Sequence, residues 1–406
     1  MMTVISLRFL LAAFGVAWVC LTTSPSAQRQ PEIARFEVDD GRQWFEPGAE
    51  LKAASSAITR GAMAAAFNEP HAEGILRTVI QWQPGSDAAN QAHELLSRIY
   101  LRTGQYTRLI ENLDRWAASF PSRSEAQKEK ADVEQFRGLP DQRNGERRPT
   151  TLAHDSGDDW SVPITINGKP AKYLLDTGAW ISVMTESEAR RLGLTIRPGS
   201  GTLSEPSGKG VTVRTAVVRN VVIGAMRFQD VSFAILPGRD EGGILGMPII
   251  LALGQVKWSN GGTWELAGRS EFGGATPRNV VFSANRLLLA TSVGGKRVFG
   301  ALDTGAVDTD LNENFSTQFP DVVRSGTKQS RDISGVGGTV TVPSITVPEV
   351  LFQVDATRAV LRPAHVTLQL TPALGGTCCI GNIGRDVLAQ TGEFTLDLSR
   401  MVLRLR

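Results

Sequence analysis

The spacing of apolar residues divides the chain into two regions. Between residues 45 and 136 apolar positions recur at intervals of three and four, which is the period of an amphipathic helix. The clearest runs are Ala92, Leu95, Leu96, Ile99 and Tyr100, followed by Leu109, Ile110, Leu113, Trp116, Ala117 and Phe120. Gly104 separates the two runs and Pro121 ends the second. The region is therefore predicted to be helical.

From Trp160 onward the pattern changes to short runs of β-branched residues between Gly, Asn and Pro turns. Residues 162–166, 211–213 and 339–342 are examples, and this pattern is typical of an all-β structure. The intervening residues 137–157 are polar, charged and rich in helix breakers, which predicts a linker.

The first 27 residues have the pattern of a secretory signal. Arg8 precedes an unbroken apolar stretch over residues 9–21, and small and polar residues follow it up to Ala27. The apolar stretch is short for a membrane span. We expect cleavage after Ala27 and a secreted or periplasmic mature protein, with no membrane contact after cleavage; an uncleaved membrane anchor is the alternative.

Composition narrows the possible partners and cofactors. Lys and Arg number 43 against 41 Asp and Glu, a net charge of +2, which does not favour nucleic acid or a membrane surface as partner. After loss of Cys20 only the adjacent Cys378 and Cys379 remain, so no disulfide framework is expected. The four histidines are scattered, and His93 starts a zinc-protease-like motif whose second histidine is replaced by Ser97. We expect neither a metal nor an organic cofactor.

The β region repeats a set of landmarks in the same order. Each copy has a Gly-Lys pair, then an apolar pair, Asp-Thr-Gly-Ala, and later an apolar residue followed by Gly. The two four-residue motifs are Asp176-Thr177-Gly178-Ala179 and Asp303-Thr304-Gly305-Ala306. The later elements are Leu245-Gly246 and Ile383-Gly384. One Asp-Thr-Gly tripeptide means little, since a given tripeptide occurs by chance in roughly a few per cent of chains this long. Two copies in matching contexts indicate an internal duplication.

Over residues 158–406 these motifs resemble the aspartic peptidases, and specifically their retropepsin-like branch. The resemblance implies a multidomain chain with an all-β, bilobal, pepsin- and retropepsin-like body, its lobes at 158–270 and 271–406. It implies that Asp176 and Asp303 are the catalytic carboxyls, with Gly178 and Gly305 close to them. Thr177 and Thr304 would hydrogen-bond across the axis between the lobes. Asn382 departs from the family's apolar residue at its position, which puts support of the second loop in doubt.

Further candidates follow from the same resemblance. Glycine-rich hairpins stand where the family has its flap, which gives Gly208, Gly210, Gly335 and Gly337 as substrate-contact candidates. Asp308 is another, because an acidic residue nearby contacts substrate in retroviral relatives. Plain hairpin turns and a solvated loop charge are the respective alternatives.

The expected function is that of an endopeptidase that hydrolyses polypeptides through a water molecule activated by the paired carboxyls. One alternative is a non-catalytic binding or scaffold protein with a degenerate peptidase body. Another is an active site formed between two chains. The helical region resembles one tetratricopeptide unit, which would suit a protein partner, although a helical cap on the body explains the pattern equally well.

Overall fold

The computed structural model describes residues 37, 39–154, 160–204, 210–237, 242–335, 338–368 and 378–406. The predicted signal segment, 1–27, lies outside these residues. Within the described ranges, no helix combines the length and the apolar character needed to span a membrane.

Six α-helices form the N-terminal region, between short 3₁₀ helices at Gly41–Phe45 and Glu134–Phe136. They are α1 Ala49–Ala54, α2 Ala57–Ala66, α3 Ala72–Trp82, α4 Asp87–Arg102, α5 Tyr106–Ser119 and α6 Ser124–Val133. Ser56 and Ser86 cap α2 and α4 by accepting hydrogen bonds from the N–H groups of Thr59 and Ala89. Consecutive helices pack against each other. The predicted helical region is thus confirmed, while its likeness to a tetratricopeptide unit stays a prediction.

The segment predicted as a linker is partly ordered strand. It contains β1 Arg143–Asn144 and β2 Thr150–Ala153, which pair with later strands of the body. Leu139 and Gln142 in the same segment are buried, and the Gln142 side chain donates to the Pro248 carbonyl (3.0 Å). The segment therefore includes two strands that pair with the body, and its assignment as a linker stays a prediction. The domain boundaries themselves stay predictions.

The first half of the β body runs from β3 to β13 and includes helices α7 Glu186–Arg191 and α8 Met247–Leu253. Its strands are β3 Ser161–Ile166, β4 Lys169–Leu175, β5 Ser182–Thr185, β6 Arg197–Ser204, β7 Gly210–Val218, β8 Val221–Ile223, β9 Met226–Gln229, β10 Val231–Leu236, β11 Gly243–Leu245, β12 Gln255–Ser259 and β13 Thr263–Leu266.

The second half runs from β14 to β25 and includes α9 Glu313–Gln318, α10 Pro320–Arg324 and α11 Arg385–Leu388. Its strands are β14 Val280–Ser283, β15 Arg286–Val293, β16 Lys296–Leu302, β17 Asp310–Leu311, β18 Thr327–Gly335, β19 Gly338–Val347, β20 Val350–Val354, β21 Thr357–Leu361, β22 Ala364–Thr367, β23 Gly381–Ile383, β24 Glu393–Asp397 and β25 Val402–Leu405.

Each half contains one large sheet, and the two sheets have the same strand order. The first is β9-β8-β3-β4-β11-β5-β10-β7-β6, extended at one edge by β1; the second is β21-β20-β15-β16-β23-β17-β22-β19-β18. Even the parallel pairs correspond, since β4 with β11 matches β16 with β23. The duplication read from the sequence is therefore present in the topology.

A third sheet joins the two halves. Its order is β2-β13-β12-β24-β25, so that the central pair, β12 and β24, takes one strand from each half. Trp160, Trp258 and Phe394 stack at this junction, with 4.5 Å between the ring centroids of the two tryptophans.

The helical region contacts both halves. On the first half, Phe136 packs edge-to-face on Trp180 (5.4 Å between centroids), and Arg197 donates to the Gly138 carbonyl. On the second half, Phe45 packs edge-to-face on Phe299 (5.4 Å). The helical region therefore packs against both halves of the body.

Candidate active site

Both candidate aspartates follow a buried strand and are held from behind in the same way. Asp176 comes directly after β4, and its N–H donates to the Leu245 carbonyl at the end of β11 (3.0 Å). Asp303 comes directly after β16, and its N–H donates to the Ile383 carbonyl at the end of β23 (3.0 Å). The second loop thus has the same backbone support as the first, despite the polar Asn382 in its support strand.

The two threonines connect the loops by reciprocal hydrogen bonds. The N–H of Thr177 donates to Oγ1 of Thr304 and the N–H of Thr304 donates to Oγ1 of Thr177, both at 3.0 Å. Each hydroxyl then donates to a carbonyl of the opposite half: Thr177 to Leu302 (2.7 Å) and Thr304 to Leu175 (2.6 Å). Both threonines are buried, so these bonds are shielded from water.

The two glycines allow the carboxyl groups to meet. A Cβ atom at position 178 would lie 2.8 Å from Oδ1 of Asp303, and a Cβ at position 305 would overlap the Asp176 carboxyl. Each loop therefore presents its glycine to the opposite aspartate, and any side chain there would push the pair apart. With only hydrogen at these positions, the two carboxyls come close enough for the negative charge of Asp303 to act on Asp176.

Backbone N–H groups also point at the carboxyls. Gly178 donates to Oδ1 of Asp176 (2.7 Å), and Gly305 and Ala306 donate to Oδ1 of Asp303 (3.0 and 3.1 Å). The second loop has one further donor, a side-chain amide: Nδ2 of Asn382 donates to Oδ2 of Asp303 (3.3 Å).

Burial and proximity change the acidity of the pair. Removal from water, together with the negative charge of Asp303, raises the pKa of Asp176 to about 7. Removal from water also raises the pKa of Asp303, but the N–H groups of Ala306 and Gly305 and the charge of Arg286 oppose that rise. The N–H groups of Gly178 and Ala179 likewise oppose the rise at Asp176. At weakly acidic pH the pair can therefore hold a single proton.

The glycines of the two support segments are tied to hydroxyl side chains, which the sequence analysis missed. The N–H of Gly246 donates to Oγ of Ser182 (3.1 Å), and the N–H of Gly384 donates to Oγ1 of Thr309 (2.9 Å). Ser182 and Thr309 stand at the same distance along the chain from their aspartates. A comparison of the two repeats for shared hydroxyl residues could have found them.

The remaining candidates are Asp308 and four glycines of the two hairpins. Asp308 is exposed and pairs with Arg331 of β18 (3.1 Å), which also pairs with Asp310. Gly210 begins β7 and Gly335 ends β18, so both lie at the ends of paired hairpin strands, whereas Gly208 and Gly337 lie outside the described residues. Within the described ranges, no cluster of three or more His, Cys, Asp or Glu residues could hold a metal ion.

Comparison with known proteins points to the same part of the chain. The aspartyl protease family model matches residues 162–249, which include Asp176 and the Leu245-Gly246 support segment. This part of the first half is an aspartic protease-like domain. The match stops before Asp303, so it does not include the second Asp-Thr-Gly loop.

Other comparisons add little. Among the solved structures that match is a retropepsin-like aspartic protease from Rickettsia conorii, with 18% identity over 31% of this chain and 92% of that chain, at a TM-score of 0.24. A TM-score this low carries no argument about fold or function. A search of curated proteins gives no match.

Proposed function

We propose that the protein is an aspartic endopeptidase whose catalytic residues are Asp176 and Asp303. The observation that carries the proposal is the close approach of the two carboxyls, presented by two Asp-Thr-Gly loops that Thr177 and Thr304 hold together by reciprocal hydrogen bonds. A duplicated motif that lacked a shared function would have no need to meet at one point.

The geometry suggests how the pair divides the chemistry. Asp303, which accepts more hydrogen bonds, acts as the base and takes a proton from a water molecule. That water attacks the carbonyl carbon of the scissile peptide bond. Asp176, which keeps its proton, donates a hydrogen bond to the carbonyl oxygen and stabilises the tetrahedral intermediate. The leaving amine takes from Asp303 the proton that came from the water as the C–N bond breaks, so that the pair returns to one shared proton.

The substrate class follows from this chemistry. A polypeptide in extended conformation would bind between the two halves, with the hairpins β6–β7 and β18–β19 in the role of flaps. We further propose that residues 1–27 export the protein, so that its substrates are extracytoplasmic polypeptides. A single chain that supplies both loops makes a site shared by two chains unnecessary.

The decisive experiment is digestion of an unbiased peptide library by the purified chain lacking residues 1–27, from acid to neutral pH. We expect cleavage within peptides, read by mass spectrometry, and no cleavage by Asp176→Asn or Asp303→Asn. Circular dichroism of the variants controls for loss of fold. Absence of cleavage by the folded parent protein at every pH would reject the enzyme and favour the scaffold alternative.

A further inference from the structure

The support strands of the two halves differ at one position beside the carboxyls. In β11 the residue is Ile244, which pairs with Leu174 in β4. In β23 the equivalent residue is Asn382, which pairs with Ala301 in β16. Strand pairing and backbone support are otherwise alike, so the exchange of an apolar side chain for an amide isolates one chemical difference.

That amide acts on one carboxyl oxygen. Nδ2 of Asn382 donates to Oδ2 of Asp303 (3.3 Å), while the N–H groups of Gly305 and Ala306 donate to Oδ1. Both oxygens of Asp303 thus accept hydrogen bonds from neighbouring groups of its own half. Ile244 has no donor to offer Asp176. Because donors aimed at a carboxylate favour its ionised form, the difference acts on the charge of Asp303.

The rest of the amide fits this role. Oδ1 of Asn382 is buried and has no hydrogen-bond partner among the described residues. Among the described residues, the side-chain hydrogen bond of Asn382 is therefore the one that its Nδ2 donates to Asp303. The charged groups that face Asp303 are Asp176 across the axis and Arg286 at the start of β15, and the positive charge of Arg286 also favours an ionised Asp303.

We propose that Asn382 is a positioning residue that makes Asp303, and not Asp176, the ionised member of the pair. It gives a nearly twofold-symmetric site a fixed direction: Asp303 activates the water and Asp176 polarises the carbonyl. The inference rests on the proposed function for its catalytic meaning, but the charge assignment is a property of the folded protein and can be measured without turnover.

The first test removes the coupling between the carboxyls. In an Asp176→Asn background, Asp303 titrates alone, and its pKa can be followed by ¹³C NMR of the carboxyl carbon. Adding Asn382→Ile, the residue of the first half, should raise this pKa by about one unit, because a hydrogen bond to a charged group is lost. As matched control, the same Asn382→Ile change in an Asp303→Asn background should leave the pKa of Asp176 unchanged.

The second test uses turnover. The acid limb of the kcat/KM pH profile should move upward by about one pH unit in Asn382→Ile, with the alkaline limb unmoved. Ile244→Val, which alters the other support strand without a donor, should move neither limb. If Asn382→Ile does not fold, Asn382→Ala removes the same donor with a smaller side chain.

The outcomes separate the two claims. An inactive parent protein would reject the proposed function, while the NMR titration would still decide the charge assignment. An unchanged pKa of Asp303 after loss of the amide, or an equal shift of Asp176, would overturn the role of Asn382. A general loss of rate without a shifted acid limb would show that the residue only supports the fold.

Discussion

The two halves of the β body share their topology and differ in their chemistry. Strand order, backbone support of the two Asp-Thr-Gly loops and the threonine bonds all correspond. Yet the position that Ile244 occupies in the first half is occupied by Asn382 in the second. The residue four places after each aspartate differs too: Trp180 is covered by Phe136, whereas Val307 is 57% exposed. The backbone has kept the symmetry of a duplicated unit, and side chains have broken it.

Under the proposed peptidase function, this difference has a physical reason. A peptide bond has direction, and its hydrolysis needs one base and one acid at the same moment. Identical halves would offer two equivalent arrangements of the shared proton. Two halves in one chain can instead be specialised separately, while the backbone that brings the carboxyls together stays common to both.

The largest expected effect tests the part that the halves share. Asp176→Asn and Asp303→Asn should each reduce kcat by ~10²–10⁴-fold, since general acid–base groups typically contribute that much. Steady-state assays on the best library peptide would measure it, with thermal unfolding as the control for fold. Near-parental activity in either variant would show that the two halves do not each contribute a catalytic carboxyl.

The second prediction contrasts the covered and the exposed position. Phe136 is 1% exposed and packs on Trp180, so Phe136→Ala should lower the free energy of unfolding by about 3–5 kcal/mol. Val307→Ala, at the exposed equivalent of Trp180, should change it by about 0.5 kcal/mol or less. Urea unfolding followed by tryptophan fluorescence gives both values. Similar losses in the two variants would mean that the helical region does not distinguish the halves.

The third prediction expects equality. Thr177→Val and Thr304→Val each leave a buried N–H and a buried carbonyl of the opposite half without a partner. Each substitution should lower the free energy of unfolding by about 1–3 kcal/mol, and the two losses should be equal within error. Differential scanning calorimetry is the measurement, and Thr→Ser at both sites, which keeps the hydroxyls, is the control. A large difference between the two losses of stability would show that one threonine contributes most of the stabilisation between the loops.

The fourth prediction concerns pH. With the pKa of Asp176 raised to about 7, activity should fall as pH rises through about 7, because the acid of the pair loses its proton. Ala179 lacks a hydroxyl that could bond Asp176. Ala179→Ser should lower that pKa and move the alkaline limb down by about one unit or less. An alkaline limb that stays in place or moves upward, in a folded variant, would show that another group sets the proton affinity.

The sequence alone predicted the paired carboxyls, their glycines and the support segments because each is encoded in a short, repeated stretch. Asp-Thr-Gly-Ala occurs twice in one context, and its meaning does not depend on distant residues. The helical region was equally readable, since its apolar period reports a buried face directly.

What sequence reasoning missed depends on contacts between distant residues. Strand β1 contains only Arg143 and Asn144, which have no strand pattern; their pairing with β9 makes them strand. Likewise Asn382 looked like a weakness in the support segment. Its amide gained a role only when folding placed it beside the Asp303 carboxyl.

The sheet shared by the two halves has a consequence for how the chain is made. Strand β12 leaves the ribosome well before β24, its partner on one side, so that Val256 has no partner on that side until Leu396 has been synthesised. Until then β12 presents an open edge, which favours slow maturation and exposure to misassembly. We expect nascent chains that end before Glu393 to be cut by added protease within residues 255–266, a stretch that should resist cutting in the finished protein.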